Sequence, residues 1–183
     1  MNSISHILVC SDGYPTVEDP VFPFVEQLVN ALSIMNIKVT VIAPQSLTKH
    51  FFSKTPLHPR YRCIATNGGG VVEIFQPYSI SFSTKSRFLN TFFKNTVIGH
   101  AIKKIKNKPD VCYGHFWHCA TYLLGFAQKN KIPLFVASGE ASVEKENNIS
   151  PNVLNDFLKY FSGVIFASSK NKKEAESLGF LTY

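Results

Sequence analysis

Cys112, His115, His118 and Cys119 form the densest group of metal-ligating residue types in the chain. Zinc sites usually draw their ligands from paired knuckles, whereas here one compact run would supply all four. Cys112 falls inside a predicted strand, so the group reads as core thiols with loop-facing histidines, and no metal is expected. A thiol nucleophile made of Cys119 and His115 has nothing in the sequence to lower the thiol pKa. His115 alone is the better candidate for chemistry. It ends the predicted fourth strand, where side chains emerge at the ligand edge of a parallel sheet. Trp117 follows closely and offers a flat stacking surface for a sugar or a base. The alternative is that both residues cap the sheet and pack against the next helix. Glu140 ends the fifth strand after Gly139; it could hydrogen-bond a hydroxyl or act as a base, although a lone carboxylate more often caps a helix or loop.

The loop after the first strand, Ser11 to Tyr14, lacks a Gly-x-Gly-x-x-Gly, and the chain has no Walker loop. Its one glycine triplet, Gly68 to Gly70, precedes a strand and cannot place a phosphate on a helix N-terminus. Dinucleotide-dependent dehydrogenases and nucleotide triphosphatases are therefore excluded, and no cofactor is expected. A helical stretch over 86–106 carries Phe88, Phe92 and Phe93 together with Lys103, Lys104 and Lys106. Basic side chains beside an aromatic face suit an anionic membrane surface. The competing reading has the apolar stripe cover the sheet and the lysines form its solvated back. No nucleic-acid partner is expected, because the basic residues follow no motif and the aromatics sit at core spacing.

These residues need a frame to hold them. Ile4 to Cys10 reads as a buried strand. Val21, Phe24, Val25, Leu28, Val29, Leu32 and Met35 then share one helical face, with Pro23 confined to its first turn. Lys38 to Ala43 makes the second strand, and strand–helix–strand in this order implies a parallel pair with a right-handed crossover. Residues 44–70 are the least regular. Further strands are predicted at Val71–Phe75, Val111–His115, Leu134–Ser138 and Gly163–Ala167. Helices are predicted at Thr121–Lys129, Val153–Phe161 and Ser169–Leu178. The alternation defines an α/β fold: a doubly wound, mainly parallel, Rossmann-like sheet in a single domain.

At 183 residues, with 45% hydrophobic and 17% charged side chains, the chain can bury a core. Its net charge of +7 favours anionic partners. No apolar run reaches the length of a spanning helix, no signal peptide is evident, and four cysteines fit a reducing, cytoplasmic setting.

Several segments, taken in order, resemble the N-terminal domain of family 4 glycosyltransferases, which have the two-domain GT-B fold. They are Tyr14-Pro15-Thr16 with Pro20 to Leu28; Lys38 to Pro44, like "VTVIAP"; Val72 to Tyr78; Lys108 to Trp117, like "kPDvvhaHfw"; Ile132 to Val136; and Gly163 to Ser168. The resemblance implies the acceptor-side half of a retaining hexosyltransferase. Such an enzyme moves a sugar from a nucleotide-sugar donor to a saccharide or lipid-linked acceptor in polysaccharide biosynthesis, at times on the inner membrane face. It implies a catalytic role for His115 facing the donor sugar and substrate contacts from Tyr14 and Pro15; Tyr78, Trp117 and Glu140 are substrate-contact candidates by their positions just after strands. The chain departs from the family where a first-loop glycine is replaced near Phe22 and Pro23, and where Gly139-Glu140 stands for His-Gly. The donor domain with its paired glutamates is absent from residues 1–183, so this piece is expected to be inactive alone. Two rivals are a free-standing flavodoxin-like or epimerase-like enzyme and a basic membrane-docking module.

Overall fold

The computed structural model describes residues 3–16, 19–66, 70–82, 86–139 and 159–177. The chain divides into two compact units, Met1–Asp110 and Val111–Tyr183. The first begins with β1 (His6–Cys10), α1 (Pro23–Ile34) and β2 (Lys38–Ile42). It continues with β3 (Gln45–Ser46), α2 (Leu47–Ser53), β4 (Tyr61–Ala65), β5 (Val71–Phe75), β6 (Tyr78–Ser79) and α3 (Arg87–Ile102). The second holds β7 (Val111–His115), α4 (Trp117–Asn130), β8 (Leu134–Ser138), β9 (Gly163–Phe166) and α5 (Ser169–Ser177).

In the first unit the strand order is β4-β5-β2-β1. β1, β2 and β5 run parallel, with Leu8 opposite Thr40 and Thr40 opposite Glu73. β2 is a nearly continuous apolar run because it is the central strand, buried on both faces. α1 covers it with Val25, Val29 and Ser33, one residue per turn along a single face. Pro23 sits in the first turn, where its missing N–H costs nothing. A polar ladder crosses the strands: His6 Nε2 lies 2.8 Å from Thr40 Oγ1, which donates to Glu73 Oε2, and Lys38 pairs with Glu73 at 2.8 Å. β4 was not expected from the sequence. It runs antiparallel at the edge, with Arg62 opposite Ile74.

The second unit has three parallel strands in the order β7-β8-β9. α4 starts at Trp117, four residues before the expected start, so Trp117 is a helix residue rather than a loop residue. Its side chain is 0% exposed among Ala120, Val136 and Ala175, and meets the Phe161 ring edge-on at 5.7 Å. The expected stacking surface for a sugar or base is therefore corrected: core side chains occupy it. Cys112 and Cys119 are also buried. The predicted helix over Val153–Phe161 lies largely outside the described residues, as does the end of the closing helix.

Candidate functional site

Three loops of the first unit, following β1, β2 and β5, converge beyond the carboxyl ends of their parallel strands. They enclose a cavity of about 250 Å³ whose lining includes Asp12, Tyr14, Phe22, Gln45, Gln76 and Lys94. Lys94 reaches from α3 to pair with Asp12 at 2.7 Å, bringing together residues 82 positions apart. Gln45 fastens the wall. Its Nε2 donates to the carbonyls of His58 (2.9 Å) and Gln76 (2.8 Å), and its Oε1 accepts from His58 N–H (2.6 Å). Gln45→Leu would take the Gln45 amide from three backbone groups, leaving His58 N–H and the Gln76 carbonyl without it while the Tyr78 hydroxyl still reaches the His58 carbonyl. It should lower unfolding stability by about 2 kcal/mol in urea denaturation, and an unchanged midpoint would show that the network is dispensable.

Tyr14 is 2% exposed, and its hydroxyl has no hydrogen-bond partner among the described residues. Burial pushes it up to about 12; the Glu26 carboxylate adds to the rise and Arg62 opposes it. The folded state thus favours the neutral hydroxyl. That contribution is complete below the unfolded tyrosine pKa near 10 and is lost as pH climbs from there towards 12. Tyr14→Phe should remove on the order of 2 kcal/mol of this alkaline loss, read from stability against pH; an identical profile would assign the loss elsewhere.

A second cavity, about 560 Å³, adjoins Tyr14 and is lined by Pro15, Glu26, His58 and Arg62 among others. Arg62 donates from Nη2 to Gln76 Oε1 at 2.6 Å. The backbone at Phe22 is left-handed, at φ 54° and ψ 52°, a conformation glycine adopts most readily. This is the first-loop region where the family pattern carries its glycine, and here an aromatic ring takes the strained position and lines the cavity. Tyr78 lies to one side. Its hydroxyl donates to the His58 carbonyl at 3.3 Å, and the Arg60 guanidinium covers its ring at 4.6 Å. It supports the wall instead of lining either cavity.

In the second unit His115 ends β7, half-buried. Its ring lies 4.4 Å from that of Phe116, and its Nδ1 lies 3.3 Å from the Tyr113 hydroxyl. Burial pushes Tyr113 up to about 12, so it keeps its proton and can donate to Nδ1. When Tyr113 donates, Nδ1 is the accepting nitrogen and the ring N–H sits on Nε2, an atom shielded from solvent. Phe116 adopts φ 78° and ψ 154°, a region that non-glycine residues rarely occupy. The strained turn lets α4 start directly after the strand and fixes the His115 backbone. Glu140 lies outside the described residues. Lys103, Lys104 and Lys106 are exposed in the first unit, just past the end of α3.

Sequence reasoning brought forward Tyr14, Pro15 and His115, marked Asp12 and Gln45 only by their positions just after strands, and missed His58, Arg62 and the pairing of Asp12 with Lys94. No local signal marks that pair, because only the fold joins its members. Arg62 would have needed β4 to be recognised.

The sequence matches no protein-family model and no curated protein. Solved structures do share the fold. A sucrose-phosphate synthase from Thermosynechococcus elongatus superposes with a TM-score of 0.62 at 12% identity, over 93% of this chain and 81% of that one. A second structure of that enzyme gives 0.61 at 11% identity, over 94% of this chain and 45% of that one. An α,α-trehalose-phosphate synthase (UDP-forming) from Burkholderia xenovorans, in complex with glucose-6-phosphate, gives 0.57 at 10% identity, over 93% and 42%. The chain thus spans under half the length of the latter two. It has the mainly parallel, Rossmann-like α/β fold of GT-B glycosyltransferases.

Proposed function

We propose that residues 1–183 form the acceptor-side half of a retaining, family 4-type glycosyltransferase, taking a sugar from a nucleotide-sugar donor to a saccharide or lipid-linked hydroxyl. The observation that carries this reading is the cavity beyond the carboxyl ends of β1, β2 and β5, where ligands of such sheets sit. Its wall mixes a carboxylate, an ammonium group, amides and hydroxyls with aromatic rings, a set suited to a polyhydroxylated ligand. Asp12 and Lys94 hold each other in place and offer an acceptor and a donor to sugar hydroxyls. Tyr14, neutral at all working pH values, adds an uncharged hydroxyl.

His115 is the catalytic residue in this proposal, facing the reacting sugar, with the Tyr113 hydroxyl placed to set its tautomer. By its position after the fifth strand, Glu140 is assigned an acceptor contact in the same reading. The donor-binding half contributes the nucleotide site, so chain 1–183 alone should give no transfer, since positioning both substrates is most of what such a cleft supplies. The test incubates the purified chain with nucleotide-sugars and saccharide acceptors and follows product by mass. Clear turnover would contradict the division of labour.

A further inference from the structure

The first unit exposes large apolar side chains where a soluble surface normally buries or avoids them. On α2, Phe51 is 74% and Phe52 86% exposed; on α3, Phe88 is 80% and Phe92 56% exposed. None of the α2 residues is buried, so apolar burial does not hold this helix in place. Polar links do: Ser46 caps it by accepting from Lys49 N–H, and Thr48 Oγ1 accepts from Ser81 N–H at 3.1 Å. The same segment continues to Phe82, itself partly exposed. Asn90 of α3 brackets its backbone at 2.6 and 3.3 Å, and its ring packs against Phe93 at 5.6 Å. α2, the segment after β6 and the first turns of α3 are therefore tied into one apolar region.

The charge these segments themselves carry is one-sided; Asp12 and Asp19 line the adjoining cavity, and Lys94 already pairs with Asp12. Exposed Lys49 and Lys54 flank the two α2 phenylalanines. Between Gln27 and Pro109 the sequence has a single carboxylate, Glu73, and Lys38 holds it at 2.8 Å. A second copy would set basic surface against basic surface. An anionic bilayer complements both the aromatics and the lysines, since aromatic rings partition into the interface while ammonium groups meet the headgroups.

We infer that the exposed aromatics of α2, Phe82 and the start of α3 dock this protein on an anionic lipid surface. Lys49 belongs both to the docking helix and to the lining of the 250 Å³ cavity. Docking therefore presents that cavity beside the headgroups, which selects a lipid-linked acceptor over a freely soluble saccharide. This substrate class rests on the sugar-transfer reading; the docking does not. The lysines expected to make the membrane contact, Lys103, Lys104 and Lys106, lie past the other end of α3. At about 1.5 Å per residue they are roughly 20 Å from Phe88 along the helix, too far to share its footprint.

The test sediments the full 183-residue chain with phosphatidylcholine vesicles, with and without about 30% phosphatidylglycerol. Binding should need the anionic lipid and weaken with salt. Phe51→Ser with Phe52→Ser, or Phe88→Ser with Phe92→Ser, should each weaken it on the order of tenfold. Replacing Lys103, Lys104 and Lys106 by Gln should change it by less than about threefold. All these side chains are exposed, and thermal melts report whether each variant stays folded. The proposal is overturned if the chain ignores anionic vesicles, if only the three lysines matter, or if the phenylalanine pairs instead abolish a dimer seen by light scattering. Saccharide binding by the same chain, measured separately, reports on the cavity: binding without docking removes this proposal alone.

Discussion

His115→Ala, introduced into the intact enzyme, is expected to lower kcat by roughly a hundredfold or more while shifting unfolding stability by only about 1 kcal/mol. The stability change is small because the ring is half-buried at a strand end, where it meets the Tyr113 hydroxyl and the edge of the Phe116 ring. Under the proposed role, the catalytic change is large because removing a donor aimed at charge that develops in the transition state costs far more than removing a packing contact. Tyr113→Phe separates positioning from contact: it keeps the imidazole but removes the group that fixes its tautomer. It should cost about tenfold in kcat with KM nearly unchanged. Unaltered kinetics for His115→Ala would reject the assignment, as would an activity loss that only follows unfolding.

The largest effect on stability is expected at Gly114, inside β7. A Cβ there would stand 2.3 Å from both the N and Cα of Ala120, which are backbone atoms of α4 and cannot rotate away. Gly114→Ala must push strand and helix apart, at a cost of about 3 kcal/mol or more. Gly99 and Gly125 provide the contrast. A Cβ at either would meet nothing within 4 Å, so Ala at these helical positions should stabilise by up to about 1 kcal/mol. Urea denaturation of the three variants checks the contrast. A Gly114→Ala protein as stable as the parent would mean that β7 and α4 are not packed this closely.

The parallel strands were legible because each is a short apolar run between clear punctuation. Pro109-Asp110 opens the strand Val111–His115, and Pro133 precedes Leu134–Ser138; both match the structure residue for residue. β4 was illegible for a physical reason. As an edge strand it has no buried residue, and Tyr61 to Ala65 show only exposed and half-buried side chains, so no hydrophobic alternation betrays it. The start of α4 was missed because Phe116 caps it without a side-chain hydrogen bond, leaving none of the Ser, Thr, Asp or Asn signals that mark helix entry. That one error put Trp117 in a loop and made a core residue look like a ligand contact.

α3 shows pattern and context diverging within one element. Its spacing predicted an apolar stripe over the sheet, and Ile98 and Ala101 do bury. The same stripe at Phe88 and Phe92 faces outward, and helical periodicity alone cannot tell which turns of a helix find a partner. The loops around the cavity were legible as positions, since everything after a parallel strand is suspect, but not as contacts. Gln45 reads as an ordinary polar residue after Pro44 until the chain folds His58 and Gln76 against it.

Amide chemical shifts of 15N-labelled chain 1–183, titrated with saccharides and separately with nucleotide-sugars, test most directly whether this polypeptide presents the sugar acceptor. The expected result is saturable movement of Gly13, Tyr14, Gln45 and Gln76 with a saccharide or its lipid-linked form, and little response to the nucleotide. Silence at these amides with every saccharide, or a dominant response to nucleotide or flavin, would contradict it.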